Sequence, residues 1–231
     1  SNYPAGHEYP WGIVADNSSN IYVTGYTSGG RFETSSSDTL PYGGNDYILY
    51  KLNESATEQW RRQFGTTNYD QAHAIAIDNS EGVYIAGYTM GDLDNNTNAG
   101  SKDAFLVKYN FEGTKQWTKI LGTSTEDWAY GVAIDNSSNV YVTGYTAGDL
   151  DGTNAGSWDV FLVKYNSSGT KQWTRQFGSS GEDVGNGVAI DNSSNIYLVG
   201  TTSGGLDGNT LGTSSSTDIF LVKYDSDGNK Q

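Results

Sequence analysis

The chain of 231 residues has no cysteine, three prolines, one methionine and two histidines. Without thiols it can build no disulfide framework, thiolate metal centre or cysteine nucleophile. Cations are scarce as well: 13 Lys and Arg stand against 27 Asp and Glu, for a net charge of −14. A surface so poor in positive charge cannot neutralise a phosphate backbone and is not drawn to anionic lipid, so nucleic acid is excluded as a partner. No apolar run approaches the roughly 20 residues that carry a helix across a bilayer, which argues against membrane insertion. His7 and His73 occur in unlike contexts, without a second metal ligand or a Ser/Asp partner pattern nearby. The acidic pairs Glu126-Asp127 and Glu182-Asp183 are chain neighbours. On extended backbone such neighbours point to opposite sides, so neither pair alone supplies the two facing carboxylates of a glycosidase. No catalytic residue is therefore expected.

What the chain has in abundance is glycine (30), tyrosine (17) and repetition. The phrase from Val14 to Thr27, built on Asp16-Asn17-Ser18-Ser19-Asn20, returns from Ile75, Val132 and Val188. An Asp-x-(Phe/Ile)-Leu-(Val/Tyr)-Lys-(Tyr/Leu) phrase follows each time, from Asp46, Asp103, Asp159 and Asp218, and a Gln-Trp phrase from Gln59, Gln116 and Gln172. The equivalent aspartates Asp16, Asp78, Asp135 and Asp191 are spaced 62, 57 and 56 residues apart. A period of that length with strand-like content indicates an array of small β-units, each unable to bury both faces alone.

One unit shows the logic. Gly131 to Asp135 is a short apolar strand, closed by the turn cluster Asn136-Ser137-Ser138-Asn139. From Val140 to Thr146 the side chains alternate between two faces, completing a hairpin. Asp159 to Tyr165 is apolar on both faces, hence sandwiched, and Thr170 to Phe177 mixes Trp173 with polar residues, as an outer edge strand does. Four antiparallel strands per unit make the expected fold all-β: a β-propeller of four-stranded antiparallel blades, with four repeats in this chain. Its single array of 1–231 divides into blades at about 8–66, 67–123, 124–179 and 180–231. The aspartates that end the first strands are expected to bind amides of the following turn. Gly25, Gly87, Gly144 and Gly200 fall in mid-strand, where glycine is costly unless another group approaches closely. Trp60, Trp117 and Trp173 of neighbouring blades are the expected groups.

Through these two phrases, over essentially all of its length, the chain resembles the bacterial SBBP family, named for a seven-bladed β-propeller. The resemblance implies more blades than four and carries no catalytic signature. The last repeat stops at Lys230-Gln231, before its tryptophan, while Ser1-Asn2-Tyr3 aligns with the tail of that same outer strand. The chain is therefore expected to be a segment of a longer propeller, a small four-bladed ring, or one part of a ring or filament completed by a second copy.

Candidate sites fall on the loops between second and third strands, which share one end of such a fold. Asp92 and Asp94, and again Asp149 and Asp151, alternate with amide oxygens as a Ca²⁺ loop would, though without a common register or a closing Glu. Phe32 and Tyr42 in the long first loop, with Trp128 and Trp158, offer rings for a protein or a sugar face. The bias to Ser, Thr, Asn, Gly and Tyr suits an extracellular or cell-surface protein. The expected function is a non-enzymatic structural, adhesive or assembly module, working through a protein partner or self-association at strand edges or the loop face. The alternatives are a lectin-like carbohydrate binder and, behind it, a glycan-active hydrolase or lyase.

Overall fold

A computed structural model describes residues 6–28, 43–206 and 217–231. These residues form no helix and fifteen strands. The first blade holds β1 (His7–Ala15), β2 (Ile21–Ser28), β3 (Asn45–Leu52) and β4 (Glu58–Phe64); the second holds β5 (Asp70–Ile77), β6 (Val83–Thr89), β7 (Asp103–Tyr109) and β8 (Lys115–Leu121). The third holds β9 (Asp127–Ile134), β10 (Val140–Thr146), β11 (Asp159–Tyr165) and β12 (Lys171–Phe177); the fourth holds β13 (Asp183–Ile190), β14 (Ile196–Thr202) and β15 (Asp218–Tyr224). Each blade is one antiparallel sheet in sequence order, four-stranded in the first three and three-stranded in the last. The expected propeller architecture is thus present.

The hairpin turns follow the sequence logic closely. Asp135 accepts the amides of Ser137 and Asn139 at 2.9 Å on one oxygen, and its other oxygen takes the Tyr141 hydroxyl at 3.0 Å. Asp16, Asp78 and Asp191 repeat the arrangement with Tyr22, Tyr84 and Tyr197. An aspartate here satisfies turn amides that the ladder leaves over, and it orients a buried ring at the same time.

The mid-strand glycines have a different cause from the one expected. Each inner strand carries a β-bulge, at Trp11, His73, Tyr130 and Asn186. The extra residue pushes the preceding backbone onto the second strand. A Cβ on Gly25, Gly87, Gly144 or Gly200 would stand 1.9, 1.9, 1.7 or 2.1 Å from the carbonyl oxygen of Tyr9, Gln71, Trp128 or Val184. Glycine is required by the sheet's own bulge. Trp60, Trp117 and Trp173 lie elsewhere: edge-on to Tyr22 and Tyr84 and tilted against Tyr141, beneath turn glycines of the next blade.

Blades pack face to face, and three apolar clusters occupy the three junctions. Tyr47 and Leu49 of the first blade meet Ala72, Ile85 and Phe105 of the second. Ala86 and Leu106 of the second meet Val142 and Phe161 of the third, and Val160 and Leu162 of the third meet Ile196 and Leu198 of the fourth. Both faces of β6, β7, β10 and β11 are consequently buried almost throughout, which is why their sequences are near-continuously apolar. Among the described residues the fourth and first blades share no junction like these three, and Ile13, Ile219 and Leu221 stay exposed.

Candidate functional site

The inner strands are longer than the sequence suggested: β9 begins at Asp127, so Trp128 and Tyr130 lie within it and not ahead of it. The bulge gives this extra length its consequence. In an unbulged strand successive side chains alternate, whereas the added residue re-aims its own side chain. Trp11, His73 and Tyr130 are thereby brought into contact across three blades, with centroids 5.2 Å apart for Trp11 and His73 and 5.2 Å for His73 and Tyr130. The last two stack nearly parallel, at 8°.

Trp128, two residues before the bulge, widens the patch. Its ring is 4.1 Å from Tyr88 and 5.9 Å from Tyr145, and Tyr145 stacks on Trp158 at 4.5 Å. Trp158 forms a parallel bridge to Glu182, and Lys102 one to Glu126, so the second-to-third loop of one blade meets the entry of the next. At that rim Lys102 Nζ bonds Glu126 at 3.0 Å and lies 4.6 Å above the Trp128 ring. Cation, ring and carboxylate form one small network.

His73 is buried among these rings. Loss of hydration, against a single backbone bond involving Ala129, pushes it down to about 4. It is thus neutral at pH 7, and its Nδ1 and the Trp128 Nε1 are buried without partners. Burial raises Tyr88 to about 12 and lifts Tyr130 and Tyr145 as well, so all three phenols keep their protons. Glu126 faces Lys102, whereas Asp127 turns inward to the Thr123 amide at 2.7 Å, so the pair splits between two environments. This arrangement can stack on a planar or apolar group and hydrogen-bond at its edges.

A second feature is a polar cleft of about 660 Å³ between the entry of the second blade and its loop, lined by Thr66, Asn68, Met90, Asp92, Asp94 and Asn98 among others. Two of the four aspartates considered for Ca²⁺ are here. Asp92 accepts the Asn98 amide at 2.8 Å, and Asp94 is engaged by Lys115 and Thr118. In the third blade Asp149 accepts the Asn154 amide at 2.8 Å, and the Asp151 amide donates to Gln176 at 3.0 Å. Leu93, between the paired aspartates, is buried in the junction core, and Leu150 packs against the next one. The Gly-Asp-Leu-Asp motif therefore pins its loop: leucine anchors it and the first carboxylate closes it. Among the described residues no three His, Cys, Asp or Glu side chains converge as a metal site.

Of the four aromatic candidates, Phe32 and Tyr42 lie outside the described residues. Trp128 and Trp158 are joined through Tyr145. The residues that sequence reading missed are His73, Tyr130, Tyr88 and Lys102. Their signal was positional: Trp11, His73 and Tyr130 each stand two residues before a repeated Ile or Val, at Ile13, Ile75 and Val132.

Two curated relatives bear on this arrangement. An uncharacterized WD repeat-containing protein of Acanthamoeba polyphaga mimivirus is 24% identical over 222 residues, covering 75% of this chain and 16% of its own length. The regulatory protein FlaEY of Caulobacter vibrioides is 26% identical over 142 residues, covering 56% of this chain and 15% of its own length. The chain thus spans about one-sixth of each relative. A family model described as a β-propeller repeat matches four times, at residues 8–33, 59–94, 116–151 and 172–207, in step with the four blades. On these matches the chain belongs to the SBBP β-propeller repeat family.

Proposed function

We propose that this chain is a non-enzymatic interaction module, secreted or displayed at the cell surface, that holds a protein partner on the aromatic surface along its inner strands. The observation that carries this reading is the ring continuity from Trp11 to Trp158, in which Trp11 is exposed, Tyr130, Trp128 and Trp158 are half-buried, and His73 and Tyr145 are buried between them as support. Aromatic anchors on a rigid scaffold, bordered by a charged pair such as Lys102 and Glu126, are what protein hot spots are made of. The names of the two relatives, one a WD repeat-containing protein and one regulatory, are in keeping with it. Peptides selected on the immobilised chain should lose at least tenfold in affinity against Trp128→Ala or Trp158→Ala. Undiminished binding by both variants would overturn the assignment.

A lectin-like reading has one observation of its own. Trp158 and Trp128 are half-buried rings held apart by the buried Tyr145 beside the Glu126 carboxylate, and sugars stack on accessible ring faces while their hydroxyls seek acceptors. Glycan-array binding that disappears with Trp158→Ala would favour it over the protein-binding reading. An array without any hit would remove it.

A further inference from the structure

Several tryptophans of this molecule keep a cation on the ring face. The Arg62 guanidinium lies 5.1 Å over Trp60, and the Arg175 guanidinium 5.2 Å over Trp173. Lys102 Nζ lies 4.6 Å over Trp128 and 5.8 Å over Tyr88, and it bonds Glu126 at 3.0 Å. The ring quadrupole attracts the cation, and a carboxylate beside the ring holds it there. Among the described residues no cation of this chain covers Trp158.

The third blade differs from the second at the position that supplies this cation. Lys102 and Trp158 each stand immediately before a third strand, ahead of Asp103 and Asp159. Glu126 and Glu182 each stand immediately before the next inner strand, ahead of Asp127 and Asp183. Both pairs are parallel bridges of one register, with the Asp127 amide donating to the Lys102 carbonyl at 2.7 Å and the Asp183 amide to the Trp158 carbonyl at 2.9 Å. The register that brings Lys102 Nζ onto Glu126 therefore sets the Glu182 carboxylate beside the Trp158 indole. Tryptophan has taken the cation's place over the second-strand tyrosine: its ring stacks on Tyr145 at 4.5 Å, where Lys102 lies over Tyr88. Glu182 is exposed, and among the described residues no ion pair reaches it. One junction thus holds ring, cation and carboxylate, and the next holds ring and carboxylate alone.

We infer that, given the protein-binding role proposed for this surface, the Trp158–Glu182 pair receives an arginine side chain of the partner, its guanidinium lying on the indole face turned away from Tyr145 and pairing with the carboxylate. Arginine fits better than lysine, because its planar group covers an indole face and offers two parallel N–H donors to a carboxylate. Arg62 and Arg175 show the stacking half of that contact within the chain itself. The net charge of −14 draws a basic segment toward the surface at long range. Trp158 is half-buried with one face fixed against Tyr145, so the guanidinium meets a ring that is already ordered.

Peptides selected from a random library on the immobilised chain, and kept only where Trp158→Ala weakens binding at least tenfold, should share an arginine. In one such peptide, citrulline in place of that arginine removes the charge and keeps the shape. It should weaken binding about fivefold at low salt, the upper end for an exposed ion pair, and Glu182→Gln should do the same. The two changes together should cost no more than either alone, and the loss should fade in about 1 M salt. Glu182 meets Ser203 through its backbone amide and carbonyl, so Glu182→Gln leaves those bonds and the fold in place. Trp158-dependent peptides that share no arginine, or that bind Glu182→Gln as tightly as wild type, would overturn the inference and leave the protein-binding reading standing. A selection without any Trp158-dependent peptide would overturn it too, and the protein-binding reading falls with it if Trp128→Ala also leaves binding undiminished.

Discussion

The carbonyl oxygen of Trp128 lies 1.7 Å from where a Cβ on Gly144 would stand. This contact couples the second strand of the third blade to the bulge that turns Tyr130 toward the patch. Gly144→Ala cannot be absorbed by a flexible side chain, because the opposing atoms are backbone. The expected cost is about 3 kcal/mol, the upper end of overpacking, with loss of the Tyr130–His73 stacking. Gly187→Ala is the control: its Cβ would meet Val199 at an ordinary 3.4 Å, and its cost should stay within about 0.5 kcal/mol. Urea unfolding of the two variants makes the comparison.

His73 gives the fold an acid-sensitive point. Its folded-state value of about 4 lies below the ordinary 6.5, so the unfolded chain binds the proton first as pH falls. The stability that neutral His73 contributes is complete above pH 6.5 and is lost on the way down to about 4, roughly 3 kcal/mol in all. Asp46 and Asp103 act in the opposite direction. Burial raises both to about 6 from the ordinary 3.8, so the folded chain binds these protons first and gains stability between those values. Wild-type pH dependence is therefore a partial cancellation. The difference between wild type and His73→Phe isolates the histidine: unfolding free energy should shift toward the variant by about 3 kcal/mol between pH 7 and pH 4. A difference constant across that range would show that His73 ionises freely in the folded chain.

The repeats made blades, turns and sandwiched strands legible because those features depend on local chemistry: Asp135 with its turn amides, or the apolar run of β11. The bulge was not legible, since it is a property of register between two strands and each copy fills it with a different residue. Trp11, His73 and Tyr130 have in common only an aromatic ring and Asn186 lacks even that, so the histidine looked isolated when it was one member of a fourfold position. The glycines were read correctly as marking a close approach, but the approaching group was backbone of the same sheet, which side-chain patterns do not report. The loop motif shows the converse. Its aspartates alternate as cation ligands do, while Leu93 and the backbone bonds around it give the same spacing a packing role that the sequence pattern does not report.

Asp135 and Tyr141 should behave as a coupled pair. Tyr141→Phe removes one hydrogen bond and should cost about 1 kcal/mol. Asp135→Ala also strands the Ser137 and Asn139 amides, and about 2–3 kcal/mol is expected. In the double variant the tyrosine contributes nothing further, giving a coupling energy of about 1 kcal/mol. Full additivity in a double-mutant cycle would mean that the turn is held by its amides alone.

Lys115 decides whether the second-blade loop can take a cation. The ammonium and the Thr118 hydroxyl both bond Asp94, while Asp92 closes the loop through Asn98. A Ca²⁺ ion bridging Asp92 and Asp94 has to displace the ammonium, because the two cations compete for the same oxygens. Lys115→Met removes the competitor and leaves the acidic oxygens in place. Thermal unfolding followed across a Ca²⁺ series should then show the variant responding at lower Ca²⁺ than wild type. The pair is partly exposed, with side chains 22% and 26% accessible, so its loss alone should cost no more than about 1 kcal/mol and leave the fold measurable. Superimposable Ca²⁺ curves for the two chains would leave Asp92 and Asp94 with the structural role of holding the loop.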